Sequence, residues 1–571
     1  MSDEKETKAT EAPNSGGAGG DWIPYVALLA VTSAVVVFLT NRGGEETGSD
    51  KGAEPEPPPA AVSASQSAPA TTVAKPAPSA PGASVDEAQL RRGETLSKAV
   101  CATCHVYPEP GIETKFSWSM EILPRMAVWL GFGGVEFDSE KGGDRVKEAG
   151  LIPDQEAMPL EDWEAICNYY LHNAPAKSVP QPARPEITVG IPHFQAVLPQ
   201  YDRPAQTTLV KIAEGHKRIY LGNDEEDTLE LFQLDGSIGG SMTFPGPPVA
   251  VHETDEGLNV TLIGNFEPSD LLEGAIVRLG KPKDGKPGQT SVLVQELARP
   301  TDAVFVDLNG DKREDILIPE FGYNLGQLTW FENLGNERYG TRTLFEHAGA
   351  IRALTYDFNR DGKLDIIALV GQAREGIYLF TNQGDNQFDM EPVALMHPSW
   401  GHSDMTLGDF NADGHIDILA TNGDNGDRYT YRHDFKPYHG VRIYLNDGKN
   451  NFAEGWFFPM NGAYRALARD FDGDGDLDMA ATSYFPDWVR SPAEAFVYFE
   501  NTGEMKFKPY TFPEAVSGKW LVMDAADIEG DGDIDIVLGA YNLGPGVVPP
   551  NIQQEWDRVN APFAILENTS R

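Results

Sequence analysis

The sequence predicts a multidomain chain: an N-terminal transmembrane helix, a disordered Pro/Ala-rich linker, a small all-α domain and an all-β seven-bladed propeller. Three observations carry this expectation. Residues 22–40, "WIPYVALLAVTSAVVVFLT", are uncharged, and a stretch poor in large apolar residues follows them. A helical pattern then runs into a lone C-x-x-C-H at residues 101–105. Behind it an aspartate-rich loop recurs five times, its first aspartates at 307, 357, 409, 470 and 527. Recurrence every 50–61 residues marks a propeller, solenoid or array.

Length and charge set the frame. A chain of 571 residues exceeds one compact core, so several domains are expected. It carries 87 Asp+Glu against 45 Lys+Arg, a formal net charge of −42. Nucleic acid and anionic lipid surfaces would be repelled, whereas divalent cations or a basic protein partner suit this charge. Three cysteines are too few for a disulfide framework, which directs attention to metal or haem chemistry.

The apolar run, taken as an anchor over 22–41, is about long enough to cross a bilayer as a helix. It is longer than a usual signal-peptide core and no A-x-A site follows it, so an uncleaved anchor is favoured over a cleaved signal. Lys5 and Lys8 on one side against Arg42 and Lys51 on the other leave its orientation open. Residues 42–84 cannot bury enough surface to fold. As a flexible tether they would span about 35 Å on average, and at most about 120 Å if stiffened toward polyproline II.

Residues 85–178 form the first folded unit. In "KAVCATCHVYPEP" the thiols of Cys101 and Cys104 stand three positions apart on a helical turn, within reach of the two vinyl groups of one haem. The imidazole of His105 then lies under the iron as proximal ligand. A zinc site would want a second ligand pair, which is missing, and a thioredoxin-type dithiol lacks the following His. Met158, in "AMPLEDWEAICNYYLHNAP", is the expected distal ligand, with Met126, Met120 and His172 as competitors. Trp163, Ile166 and Tyr170 fall on one face of the helix after it, and Cys167 reads as a buried small hydrophobe. This region resembles a class I monohaem c-type cytochrome. The resemblance implies haem attachment on the outer side of an energy-transducing membrane, with residues 1–21 cytoplasmic and everything after Arg42 outside.

Residues 185–571 hold the repeats. The loops place oxygens at positions 1, 3, 5 and 9, with a carbonyl at 7. The side chains are Asp307, Asn309, Asp311 and Asp315; Asp357, Asn359, Asp361 and Asp365; Asp409, Asn411, Asp413 and Asp417; Asp470, Asp472, Asp474 and Asp478; Asp527, Glu529, Asp531 and Asp535. Oxygen-only ligands at this density select Ca²⁺ over zinc or copper. Strands bracket the loops ("DAVFV", "DILIP"), which argues against an EF-hand, and five loops in register argue against metal-free Asx turns. The loops hold 17 ligand-position carboxylates that would repel one another without cations. Lys312 replaces the turn glycine in the first loop and Glu529 lengthens position 3 in the last, so the middle three should bind best.

Each unit also carries an aromatic–x–Asn–x–Gly hairpin signal, giving four strands per blade. Two degenerate units, around 209–236 and 249–266, bring the count to seven. The last unit stops one strand short, and "PHFQAVLPQYD" (192–202) supplies a closing outer strand. These repeats look like the FG-GAP/VCBS family of calcium-loop propellers, also seen in integrin α subunits. The resemblance implies calcium loops on one face and partner binding on the other. At the channel end of the inner strands stand Asp302, Arg352, Asp404 and Arg465, with His402 beside them. They read as inter-blade ion pairs, or more sharply as a polar ligand face.

Together these readings predict a single-pass protein of the inner membrane, its soluble domains in the periplasm or outside the cell, carrying one covalent haem c and about five Ca²⁺. It would transfer electrons to a redox partner protein, with the propeller as docking platform. Two alternatives stand: an oxidoreductase or lyase on the non-calcium face, and an adhesion or redox-sensing protein. No catalytic constellation is evident in the sequence.

Overall fold

The computed structural model describes residues 86–133, 141–283, 288–426 and 435–570. The expected cytoplasmic tail, membrane anchor and linker lie outside these residues. Among the described residues no helix is long and apolar enough to cross a membrane.

The N-terminal unit is helical. Helix α1 (Glu87–Val100) is capped by Asp86, whose carboxylate accepts the Ala88 N–H at 2.9 Å. It ends in a 3₁₀ turn, Cys101–Thr103. A helical segment from Lys115 passes through a π-helical turn, Trp118–Ile122, into α2 (Leu123–Trp129). Helix α3 (Gly143–Glu148) follows, and α4 (Leu160–Asn173) buries Trp163, Ala165, Ile166, Tyr169 and Tyr170. Helices α1 and α4 cross closely at Gly93, where a Cβ would stand 2.1 Å from the Ala165 carbonyl oxygen. Two aromatic donors fix the loop after the C-x-x-C-H: Trp118 Nε1 donates to Pro110 O (2.9 Å) and Tyr170 OH to Pro108 O (2.8 Å).

Seven antiparallel sheets form the propeller. Blades 1 and 2 (207–243 and 248–297) are complete four-stranded sheets without aspartate loops, formed from strand alternation alone. Blades 3 to 6 occupy 304–345, 350–395, 402–459 and 463–511. In blades 3 to 7 the strand after the aspartate loop is buried at all six positions, as its apolar sequence requires. Apolar clusters fill the seams between neighbouring blades, such as Leu317, Trp330, Ala353, Ala368 and Phe380 between blades 3 and 4. Blade 7 has three strands from 520–568, and its fourth is Phe194–Val197, with Phe194 opposite Asn568 and Val197 opposite Ile565. The segment just before it, Thr188–Val189, runs parallel to Tyr510–Thr511 on the outer edge of blade 6. The blade-7 helix α5 (Pro550–Val559), inserted between strands, had no sequence expectation.

The helical unit sits on the propeller face opposite the aspartate loops, against connections between second and third strands. Asp270 N–H donates to Lys141 O (2.8 Å), and Arg145 donates to Asp270 O. Lys141 pairs with Glu267 (2.8 Å) and Arg125 donates to Tyr323 OH. Val128 and Val146 pack with Leu325. Further round, Glu113 meets Lys436 Nζ (3.3 Å) and Tyr438 OH (3.2 Å).

Candidate functional site

Four groups of residues bear on chemistry. The first is the end of α1. Cys101, Cys104 and Cys167 are free thiols. Burial pushes the Cys101 thiol up and that of Cys167 up to about 12, which leaves Cys167 an inert packing residue. His105 Nδ1 lies 2.9 Å from Val106 O. In the Nδ1–H tautomer this contact orients the ring and leaves the Nε2 lone pair for a metal. The surrounding apolar cluster has seven buried members but eleven half-buried ones, among them Met126, Leu130, Phe132 and Met158. The largest propeller cluster reverses that balance, with twenty buried and eight half-buried. Both Met126 and Met158 border the same cluster.

The second group is the five aspartate loops. Their backbones are alike. Lys312 holds a left-handed φ of 69°, where the other loops use Gly362, Gly414, Gly475 and Gly532 at 84–98°. Position 1 accepts loop N–H groups, as Asp357 does from Asp361 and Gly362. Position 9 has a further task. Each of Asp315, Asp365, Asp417, Asp478 and Asp535 is fully buried. One oxygen accepts the N–H two residues into the loop (Leu308, Phe358, Phe410, Phe471, Ile528). The other accepts the N–H of the third-strand asparagine (Asn333, Asn382, Asn446, Asn501, Asn568). Burial pushes Asp478 and Asp535 up to about 7. Carboxylates of Asp470, Asp472 and Asp474 lie within 4.8 Å of one another, a spacing that can hold a metal ion.

The third group is the channel ring. Arg352 Nη1 pairs with Asp302 (2.8 Å) and its Nε faces Asp404 at 3.7 Å, while Arg465 reaches Asp404 at 3.4 Å. Asp302, Arg352, Asp404 and Arg465 therefore form one chain of alternating charge across blades 3 to 6. Neighbouring carboxylates, Asp302 first, hold the half-buried Arg352 guanidinium above its usual range despite desolvation.

Of the fourth group, sequence reasoning named His402, placed on the ligand face, and missed its grouping with His397, Tyr438, His439 and Glu375. Under the helical unit, His397, Trp400, His402, Tyr438 and His439 form an aromatic cluster, with Trp400 stacked on His402 (5.9 Å) and Tyr438 (5.5 Å). Glu375 Oε1 lies 2.7 Å from His402 Nδ1, an arrangement that places a proton on Nδ1 and leaves Nε2 buried on the far side of the ring. His402 Nε2, His439 Nε2, His397 Nδ1 and Glu375 Oε2 are buried without a protein hydrogen bond. Burial, reinforced by Lys436, pushes His397 down to about 3 and His439 well below the usual imidazole range. The available signal was density: five of the chain's 11 histidines fall within residues 397–439, and three of them, His397, His402 and His439, join this cluster.

The repeat geometry can now be set beside known proteins. A family profile described as FG-GAP-like repeat matches residues 307–368 and 357–420. Residues 307–420 carry FG-GAP-like repeats. The aspartate loops of blades 6 and 7, outside the matched residues, share the same backbone and the same buried ninth aspartate. No curated protein matches the chain. Among solved structures, the periplasmic gluconolactonase PpgL of Pseudomonas aeruginosa is 11% identical, covering 52% of this chain and 83% of that one, at a TM-score of 0.35. BBS1N, solved in complex with ARL6DN, is 10% identical, covering 64% and 92%, at a TM-score of 0.38. Likenesses this weak leave the function of the FG-GAP propeller to be argued from its own residues.

Proposed function

We propose that the chain is a membrane-anchored, extracytoplasmic electron-transfer protein whose haem-bearing helical unit is docked on a calcium-stiffened propeller. The observation that carries this reading is the union of two free thiols and an oriented imidazole at the end of α1, beside an apolar cluster that is mostly half-buried. Cys101 and Cys104 would hold the haem by thioethers, and His105 Nε2 and Met158 would ligate its iron. A haem so held supplies a one-electron couple. Val106 O keeps the imidazole oriented, and the half-buried apolar cluster would pack against the haem. The Trp118 and Tyr170 hydrogen bonds hold the following loop in place.

The propeller fixes where the helical unit faces. Ca²⁺ in the five loops would offset their crowded carboxylates and stiffen the face away from the haem. The uncharged run at 22–41 would anchor the chain, and the net charge of −42 suits a basic redox partner. An absorbance spectrum of the purified protein tests the reading: a low-spin c-type α band should appear on reduction, and the haem should stay with the denatured chain. A chain that binds no haem, or releases it on denaturation, would overturn the proposal.

The buried imidazoles favour a second reading. A buried His402 Nε2 lone pair beside unpartnered His439 and Glu375 atoms suits a substrate of an oxidoreductase or lyase on this face. Turnover of a candidate substrate that disappears in His402→Ala, with the haem spectrum unchanged, would establish it.

A further inference from the structure

The seam between blades 6 and 7 differs in its chemistry from the seam between blades 3 and 4. In blade 3 the third loop position is Asn309, whose Nδ2 donates to Glu332 Oε1 on the third strand (3.4 Å). Asn386, in the hairpin turn of neighbouring blade 4, donates to the same oxygen at 3.0 Å. Two amide donors thus converge on one carboxylate.

Blade 6 keeps the architecture and replaces the donors. Its third loop position is Asp472, and the counterpart of Glu332 is Glu500, since Asn333 and Asn501, the next residues, make the same N–H bond to the ninth loop aspartate. The turn of blade 7 contributes His193, directly before the closing strand Phe194–Val197. Its carbonyl accepts the Thr569 N–H (2.7 Å), as Arg338 O accepts that of Leu334 in blade 3 (2.8 Å). One ring nitrogen of His193 and one oxygen each of Asp472 and Glu500 lie within 4.8 Å of one another. The remaining contacts are accounted for. Glu500 Oε2 takes Tyr510 OH (3.3 Å) and faces Lys508 Nζ (3.8 Å), and Asp472 Oδ1 accepts the Asp474 N–H (3.1 Å).

Two carboxylates facing each other repel unless a cation lies between them. Ligand–metal distances of about 2.0–2.2 Å place ligand atoms roughly 3–4.4 Å apart around a shared ion, and the three atoms here, all within 4.8 Å of one another, need move little to meet on one. An imidazole nitrogen with two carboxylate oxygens suits a first-row divalent cation better than Ca²⁺. We propose that His193, Asp472 and Glu500 form a zinc-class cation site that clasps the closing turn of blade 7 to blade 6. Asp472 also belongs to the Asp470–Asp474 carboxylate group, so it bridges the two positions. The clasp sits where residues 188–197 pass from the edge of blade 6 to the edge of blade 7, at the closure of the ring.

The test titrates the full-length, calcium-saturated chain with Zn²⁺, counting bound zinc by elemental analysis and following binding by calorimetry. Wild type should hold one more zinc per chain than His193→Asn, which installs the amide used in blade 4. Glu500→Gln should bind that zinc about tenfold or more weakly. Zinc should raise the unfolding temperature of wild type and leave that of His193→Asn unchanged. Equal zinc counts in wild type and both variants, or an equal thermal shift, would overturn the proposal. Thiol or other histidine sites would load equally in all three proteins, so the difference isolates this cluster.

Discussion

Replacing Gly93 with alanine tests whether the α1–α4 crossing positions Cys101 and Cys104, the cysteines proposed to attach haem. The added Cβ would stand 2.1 Å from Ala165 O, 2.7 Å from Ala165 C and 2.8 Å from Tyr169 Cβ. Backbone oxygen cannot rotate away, so the helices must part by about 1 Å to restore ordinary contact. Sliding is resisted by Arg92, which pairs with Asp162 (2.5 Å) and Glu161 (3.2 Å) on α4. Overpacking of this kind costs up to about 3 kcal/mol, and alanine recovers about 1 kcal/mol of helix propensity. The net loss of about 2 kcal/mol in a unit of roughly 90 residues corresponds to a fall of about 8–16 °C in unfolding temperature. Because Cys101 directly follows α1, the same displacement should reduce covalent haem content. The assay pairs thermal unfolding followed at the haem band with haem per chain by pyridine haemochrome. A Gly93→Ala protein with wild-type haem content and an unchanged transition would refute the argument.

Four other outcomes are expected. Met158→Ala should open the reduced haem to carbon monoxide while Met126→Ala should not; the opposite result would exchange their roles. Chelation of divalent cations should lower the propeller transition and leave the haem spectrum intact, and an unmoved transition would sink the calcium reading. Asp404→Ala leaves two arginines facing no central carboxylate and should cost about 3–5 kcal/mol in denaturant unfolding, against little change for an exposed pair such as Lys506–Glu504. Lys519 is buried, and burial pushes its ammonium from 10.5 down to about 7. A lowered lysine gives stability present above 10.5 and lost as pH falls through 7. Lys519→Met should flatten the dependence of unfolding on pH in that window, and a profile identical to wild type would contradict it.

The aspartate loops were legible in sequence because their geometry admits few residue types. Positions 1 and 9 must accept several backbone N–H groups, which only a short carboxylate can do. The closing strand was legible because the last unit ends one strand short, and Phe194–Val197 pairs there in register. Blades 1 and 2 could be expected only by count, since alternation without ligands marks strands and not their place in a ring. The docking face was not legible. Arg125, Lys141 and Arg145 look like ordinary surface cations until the fold brings Tyr323, Glu267 and Asp270 beneath them. The sequence favoured Met158 over Met126 as the distal ligand, and in the fold Met126 on α2 and Met158, just before α4, border one apolar cluster. The histidine cluster depends on an inter-blade seam, joining residues far apart along the chain.

The segment between the two folded units is part of the propeller wall. Arg184 pairs with the buried Glu494 (2.9 Å), and Gln181 donates to His439 O (3.1 Å). Residues 188–189 and 194–197 then become strands of blades 6 and 7. A protease cut or a gene boundary placed here would not separate two independent pieces. It would strip blade 7 of its outer strand and expose the Phe563–Asn568 edge to aggregation. A propeller expressed without residues 185–206 should therefore arrive as an open ring.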